Sequence, residues 1–374
     1  MSPVVSIVRC QTYEEGRVLA GLRECVERIG GIGTLVRKGD RVLLKPNLLI
    51  GKTPEKAVTT HPSIVRGVIQ IVREAGGIPF IGDSPAVGSG ARAAEKAGIR
   101  AVAEALNCPI VEFDKPAVPP KGKGRIFQHL EVDRAVLEAD VVVNLPKWKT
   151  HGMTLLTLGV KNLYGCIPGA RKALWHLKAG ENRETFARVL VDLYQIIHPS
   201  LTILDGIIGM EGSGPNSGKP VPLGLILASR DALSLDQIVC DLLGISREAL
   251  VTNRVAFEQG LGKDRIEVSG KSLEEVRISN FDLPRPYRAD WYLPGFLKRI
   301  LSNALTSKPV IDAKACKACH QCVEICPPKS LHRRGKEIVF DYVQCIRCFC
   351  CQEICPEGAI SIKPGWILKL MNRK

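Results

Sequence analysis

Nine of the chain's 14 cysteines lie in a window of 40 residues, Cys316 to Cys355. They form two runs, CKACHQCVEICP and CIRCFCCQEICP, that share the spacing C-x2-C-x2-C-x3-C-P at an offset of 29 residues. Thiolates at three-residue steps wrap a loop round one cubic iron–sulfur cluster, and the fourth cysteine leaves on a helical turn to reach the cluster of the other run. The spacing therefore predicts two [4Fe–4S] clusters. One uses Cys316, Cys319, Cys322 and Cys355; the other uses Cys345, Cys348, Cys351 and Cys326. Paired structural zinc fits less well, because zinc pairs read C-x2-C, a long gap, then C-x2-C. Cys350 is surplus to both sets, since using it would spoil the spacing, and it reads as a buried thiol beside a cluster. Nothing in the sequence points to export, so this cysteine density means metal rather than cystine.

A second group of chemistry-bearing residues falls at the ends of predicted strands: Lys45 and Asn47; Asp83 and Ser84; Asn144, Lys147, Lys149 and His151; Asp205 with Glu211. His61 stands just before a helix start, and Lys161 and Asn162 follow a glycine. In open parallel sheets ligands bind beyond the carboxyl ends of the strands, so these groups are expected on one rim. Taken singly, each has a plainer role as a turn cap, a solvated base or a structural histidine. Taken together they predict a polar pocket. Lys45, Lys147, Lys149 and Lys161 outnumber the local acids, which predicts an anionic ligand: a carboxylate, a phosphate or an anionic cofactor.

The elements that must position these groups alternate. Strands are predicted at 5–9, 42–47, 78–83, 109–113, 140–146, 201–206 and 222–229, with a strand-like piece at 265–269. Helices are predicted at 14–29, from Pro62 to the Gly76-Gly77 stop, and at 91–106, 184–197 and 232–243. The run 140–146 is almost wholly apolar, as a strand covered on both faces should be. The fold class is therefore α/β, a mostly parallel sheet with flanking helices over residues 1–280. A connector (281–308) with a short amphipathic helix at 296–305 follows, then the cysteine module (309–364) and a basic amphipathic tail (365–374).

The module resembles bacterial-type ferredoxins that carry two [4Fe–4S] clusters, which implies a small α+β ferredoxin-like domain. The segments VLLKPNLL (42–49), TTHPSIVRGVI (59–69), IGDSP (81–85), LPKWKTHGMTLLTLGVKNLYGCIPG (145–169), LDGIIGMEGSGP (204–215) and ASRDALSLDQIVCDLLG (228–244) resemble the domain of unknown function 362 family. Members of that family are often followed by a ferredoxin module. The resemblance implies fold and cluster content and leaves the reaction open.

Composition bounds the rest. The chain has 374 residues, 45% of them hydrophobic, and a formal charge of +14. No apolar run is long enough to span a membrane, and the N-terminus lacks a signal-peptide pattern, so a cytoplasmic location is expected. Nucleic acid is not the expected partner, because the charge shows neither long basic runs nor basic–aromatic interleaving. The glycine-rich stretch 209–220 has Ser213 where a phosphate loop needs its first glycine and Pro220 where it needs Ser or Thr. The stretch 87–92 lacks the third glycine of a dinucleotide fingerprint, and no G-x-S-x-G elbow occurs. Three readings remain. One is an iron–sulfur redox enzyme that passes single electrons between its clusters and the pocket. The second is an electron carrier or accessory protein that docks on a redox partner protein. The third is a cofactor or metal maturation factor with His61, His151 and strand-end Asp residues as ligands.

Overall fold

The computed structural model describes residues 2–86, 88–120, 126–127, 129–169, 171–284, 306–335 and 337–365. The expected helix at 296–305 and nearly all of the basic tail lie outside the described residues.

Ten strands form the main sheet: β1 (Val4–Arg9), β2 (Arg41–Pro46), β3 (Ile78–Gly82), β4 (Ile110–Val111), β5 (Val141–Leu145), β6 (Lys147–His151), β7 (Leu155–Thr157), β8 (Leu201–Glu211), β9 (Lys219–Ser229) and β10 (Glu267–Gly270). Their order is β10-β1-β9-β8-β5-β2-β3-β4, and β6 lies on β8 and carries β7. The pairs β4–β3–β2–β5–β8 are all parallel, whereas β9 runs antiparallel to both β1 and β8. The sheet is thus mostly parallel with two reversed strands, β9 and the short β7, and the carboxyl ends of β2, β3, β5 and β8 share an edge.

Period-two alternation decides which face each side chain joins. Val42 and Leu44 of β2 pack with α1 (Glu15–Glu27) and α2 (Pro62–Glu74), while Leu43 between them packs on the other face. Helix α2 buries Ile64, Val65, Val68, Ile69 and Val72, the stripe predicted from their spacing. The single helix predicted at 91–106 is two: α3 (Gly90–Lys96) and α4 (Ile99–Ala105), separated by Gly98 at φ 71°. Left-handed backbone there ends the first helix. On the opposite face lie α5 (Gly159–Asn162), α6 (Arg171–Ala179), α7 (Arg183–Ile197), α8 (Ala232–Leu242) and α9 (Val251–Glu258).

The cysteine module pairs β11 (Lys308–Ile311) with β14 (Ile360–Lys363), and β12 (Leu331–Arg334) with β13 (Glu337–Phe340). Its short helices, α10 (Gln321–Ile325) and α11 (Cys350–Ile354), each follow a residue in left-handed conformation, His320 at φ 60° and Phe349 at φ 58°. The sequence repeat is therefore a backbone repeat as well. The module is docked on the sheet's carboxyl edge. Lys52 Nζ donates to Pro356 O (2.6 Å), Asn216 Nδ2 to Cys355 O (2.8 Å) and Gln352 Nε2 to Ser213 O (3.1 Å). The glycine-rich stretch that fails as a phosphate loop is thus part of the docking surface. A side chain at Gly214 would collide with Thr150, so only glycine lets that turn close.

Candidate functional site

Alternation splits the predicted polar rim into two sites. Ile203 and Ile207 of β8 face α1 and α2, and Asp205 between them shares that side. There Asp205 accepts from Tyr13 Oη at 2.6 Å, Lys147 Nζ at 2.9 Å and the His61 amide at 2.9 Å. Lys147 also donates to Tyr13 Oη (2.7 Å), and the Tyr13 and His61 rings stack at 3.5 Å. Burial pushes the Lys147 ammonium down while Asp205 pulls it up. Burial likewise holds His61 down at about 4. His61, Lys147 and Asp205 therefore form a closed hydrogen-bonded cluster with Tyr13. The expectation of one cleft for the whole set is corrected: register and alternation turn this half towards the other face.

Lys45 and Leu43 share the opposite face of β2, and there the second group forms a cavity of about 80 Å³. Its walls include Lys45, Asn47, Asp83, Ser84, Lys161 and Asn162 from the expected set. Tyr164, Lys172, His176, Ile325, Cys350 and Glu353, which strand-end reasoning did not single out, complete it. Lys45 Nζ pairs with Asp83 Oδ1 at 2.7 Å, both side chains being buried. Gly165 lies directly over this pair, and any side chain there would strike it. Asn162 links the strands below, donating to Asn144 Oδ1 and accepting from Asn47 Nδ2, each at 2.8 Å.

Lys147–His151 is itself a fully buried strand, not a solvated loop. Lys149 Nζ donates to Asn47 Oδ1 (2.8 Å) and Val58 O (2.6 Å), and burial, then Lys161, drives its ammonium well below the ordinary value. His151 Nδ1 accepts the Met153 and Thr154 amides, while Nε2 lies 3.0 Å from the Glu353 carboxylate. Glu211 stands apart, accepting from the Asp282 amide.

Electrostatics sort the cavity's charged groups. Burial pushes Glu353 up, but His151, Lys161 and His176 prevail and hold it down at about 2, so it is an anion. Burial pushes Lys161 down, partly opposed by Glu353. Lys172 is lowered to about 7, first by burial, with Asp83 pulling up and Lys45 and Lys161 pushing further down. Its Nζ donates to Ser84 Oγ (2.5 Å), Ile167 O (3.0 Å) and Ser84 O (3.1 Å), a clamp between two loops. Burial also lowers His176 to about 3, leaving a neutral ring.

The module's cysteines group in fours. Burial, then Cys355, Cys319 and Cys316, push the Cys322 thiol up to about 11. Burial, then Cys348, Cys345, Cys326 and more weakly Cys322 of the other set, push Cys351 well above its ordinary value. Backbone amides face three sulfurs: Ala318 N to Cys316 (3.4 Å), Ser330 N to Cys326 (3.3 Å) and Ala359 N to Cys355 (3.2 Å). Four thiols with amide donors aimed at sulfur suit cubic clusters, whose potentials such hydrogen bonds tune. Among these eight cysteines only Cys319 is exposed, whereas Cys326, Cys345, Cys348 and Cys351 are all buried. Cys350 is buried too and opens on the cavity, with Ile325 beside it. Each directly precedes a cysteine of the buried set, Cys351 and Cys326. Among the described residues no three His, Cys, Asp or Glu side chains converge on a single metal ion. His61 stands in the Tyr13–Asp205 cluster and His151 against Glu353, in two separate places.

Comparison with known proteins follows the same division. Residues 42–241 match the family described as domain of unknown function 362, and residues 308–356 match the 4Fe–4S dicluster domain. A thylakoid-associated protein of Synechocystis sp. is 42% identical over 297 residues, which cover 79% of this chain and 92% of that protein. Among solved structures, the lactate racemase apoprotein of Thermoanaerobacterium thermosaccharolyticum aligns with a TM-score of 0.39 at 12% identity, over 61% of this chain and 54% of its own. A protein from Thermotoga maritima aligns at 0.37 and 13% identity, over 60% and 57%. The chain spans somewhat over half the length of those two structures. No helix among the described residues is long and apolar enough to cross a membrane.

Proposed function

The chain belongs to the domain of unknown function 362 family, and from that premise we propose an iron–sulfur oxidoreductase that couples two clusters to an anion site in its α/β domain. One observation carries this reading: the cavity that holds Lys45, Lys161 and Lys172 is walled on its far side by Ile325 and Cys350, each next to a cysteine of the buried set. When bound, the clusters supply single electrons. Cys316, Cys319, Cys322 and Cys355 hold one at the surface, where exposed Cys319 offers an approach for a redox partner protein. Cys345, Cys348, Cys351 and Cys326 hold the other against the cavity. The Lys45–Asp83 pair and the Lys172 clamp fix the loops that shape the site, and Lys161 supplies positive charge. The module's mixed rather than acidic surface suits a domain tethered to its own site or to an acidic partner. Thiolate-held clusters persist in reducing surroundings, which keeps the reading of a cytoplasmic chain.

A carrier or accessory protein without a substrate is the second reading, favoured by the exposure of Cys319. It needs no cavity lined with one buried and two half-buried lysines, and that feature favours the enzyme. A potentiometric EPR titration of anaerobically prepared chain tests the proposal. Two one-electron centres and roughly eight irons per chain are expected. Stoichiometric zinc without redox-active signals would contradict it.

A further inference from the structure

Two of the cavity's donors are left over once its pairs and clamps are assigned. Lys45 is engaged by Asp83, and Lys172 by Ser84 and Ile167. Lys161 Nζ instead lies over two aromatic rings, 5.0 Å from the centroid of Tyr164 and 5.9 Å from that of Phe186. Among the described residues it makes no hydrogen bond or salt bridge, and Glu353 in the same cavity wall offsets part of its charge through space. His176 stacks on the same Phe186 ring at 4.4 Å and meets Tyr164 edge-on at 5.4 Å. Its Nδ1 is buried and has no hydrogen-bond partner among the described residues. Packed on the same pair of rings, the ammonium and the imidazole are neighbours in one wall. A buried polar atom without a partner is costly, which marks it as a place where something binds.

Size limits what that is. The cavity's inner volume is about 80 Å³, and its mouth is partly open to the surface. An apolar cavity of about 150 Å³ accommodates benzene, and a water molecule occupies about 30 Å³ in the liquid. The space therefore admits roughly three or four heavy atoms on that scale. A nucleotide, a flavin or a long dicarboxylate would have to extend beyond it through the mouth, away from Lys161 and His176. The geometry points to a compact oxyanion, a small carboxylate or an inorganic oxyanion of similar size, held between Lys161 Nζ and the His176 ring. The assignment rests on the redox-site reading for its purpose; its chemistry follows from the two free donors and the volume.

Calorimetric titration of the cluster-loaded protein tests it, with formate, nitrite, bicarbonate and acetate set against 2-oxoglutarate and pyrophosphate. The small anions are expected to bind and the large ones not. Lys161→Met and His176→Phe, the latter keeping a ring on Phe186, are each expected to weaken binding by about tenfold or more, the scale of one charge-assisted hydrogen bond. Lys161→Arg is expected to retain it. If Lys161→Met does not fold, His176→Phe carries the same comparison. No binding of the small anions, binding of the large ones alone, or equal affinity in the variants would overturn the assignment and leave the electron-transfer reading in place. Redox-inert wild-type protein that still binds formate through Lys161 would remove the electron-transfer reading and keep the anion site.

Discussion

Glu353 of the cysteine module and His151 of the sheet domain meet at 3.0 Å, with both side chains buried. The two residues come from segments 202 positions apart and join the helix that carries Cys351 to the rim of the cavity. His151 Nδ1 is occupied by two backbone amides, so Nε2 is the nitrogen that carries the proton, and it meets the carboxylate as a close ionic contact rather than an aligned hydrogen bond. Glu353→Ala would leave that proton and the Lys161 charge without their anion. A loss of about 1–3 kcal/mol is expected, the range for leaving a buried polar group without its partner. Urea unfolding of the cluster-loaded chain measures it; a change within a few tenths of a kcal/mol would show that the contact does not hold the domains together.

Crossed ligation is tested by Cys326→Ala. The variant should lose or alter the cluster held with Cys345, Cys348 and Cys351, although Cys326 is nearer in sequence to the other set. Redox-resolved EPR tells the two apart. Loss of the Cys316 cluster instead would make each run ligate its own cluster.

The Tyr13–Asp205–Lys147 cluster is structural in this account. Asp205→Asn strands a buried ammonium, and about 3–5 kcal/mol of stability should go with it. Adding Lys147→Met removes the stranded charge and should return much of that loss. A double variant no more stable than Asp205→Asn would show that the aspartate acts through other partners.

Acid should destabilise the fold through His176. Its pKa stands at about 3 in the folded chain against an ordinary value of 6.5. Between those values the unfolded chain binds the extra proton, so stability rises with pH and is lost as pH falls below about 6.5, by up to about 1.4 kcal/mol per unit. His61, lowered to about 4, acts with the same sign. Denaturation midpoints taken between neutral and mildly acid pH should therefore fall less steeply in His176→Phe than in the wild type. Parallel pH profiles would remove His176 from the explanation.

The cysteine module, the apolar stripe of α2 and the buried strand β5 are all readable in the sequence, because each depends on local spacing. The edge that gathers Lys45, Asn47 and Asp83 is readable as well, since parallel strands share their carboxyl ends. Which face each residue joins is not. That depends on register between distant strands, and it sends Asp205 and Lys147 to α1 and α2 while Lys45 turns the other way. Glu353 and Cys350 belong to a second domain whose docking no local pattern encodes. No signal in the motif marks Glu353, because Glu324 stands at the equivalent position of the first run and is exposed. Lys172 and His176 stand on a short helix, RKALWHLKA, whose mixed sequence does not say which polar residues face the cavity.

If the cavity and the buried cysteine set form one redox site, a charge in the cavity must be felt by the cluster those cysteines would hold. The most direct measurement is a potentiometric EPR titration of Lys161→Met beside the wild type, following both clusters. Removing a positive charge next to a cluster makes its reduction harder. The account predicts a lower potential, and an altered signal, for the cluster on Cys345, Cys348, Cys351 and Cys326, with the cluster on Cys316, Cys319, Cys322 and Cys355 unchanged. Identical potentials in the two proteins, or a shift confined to the exposed cluster, would contradict it.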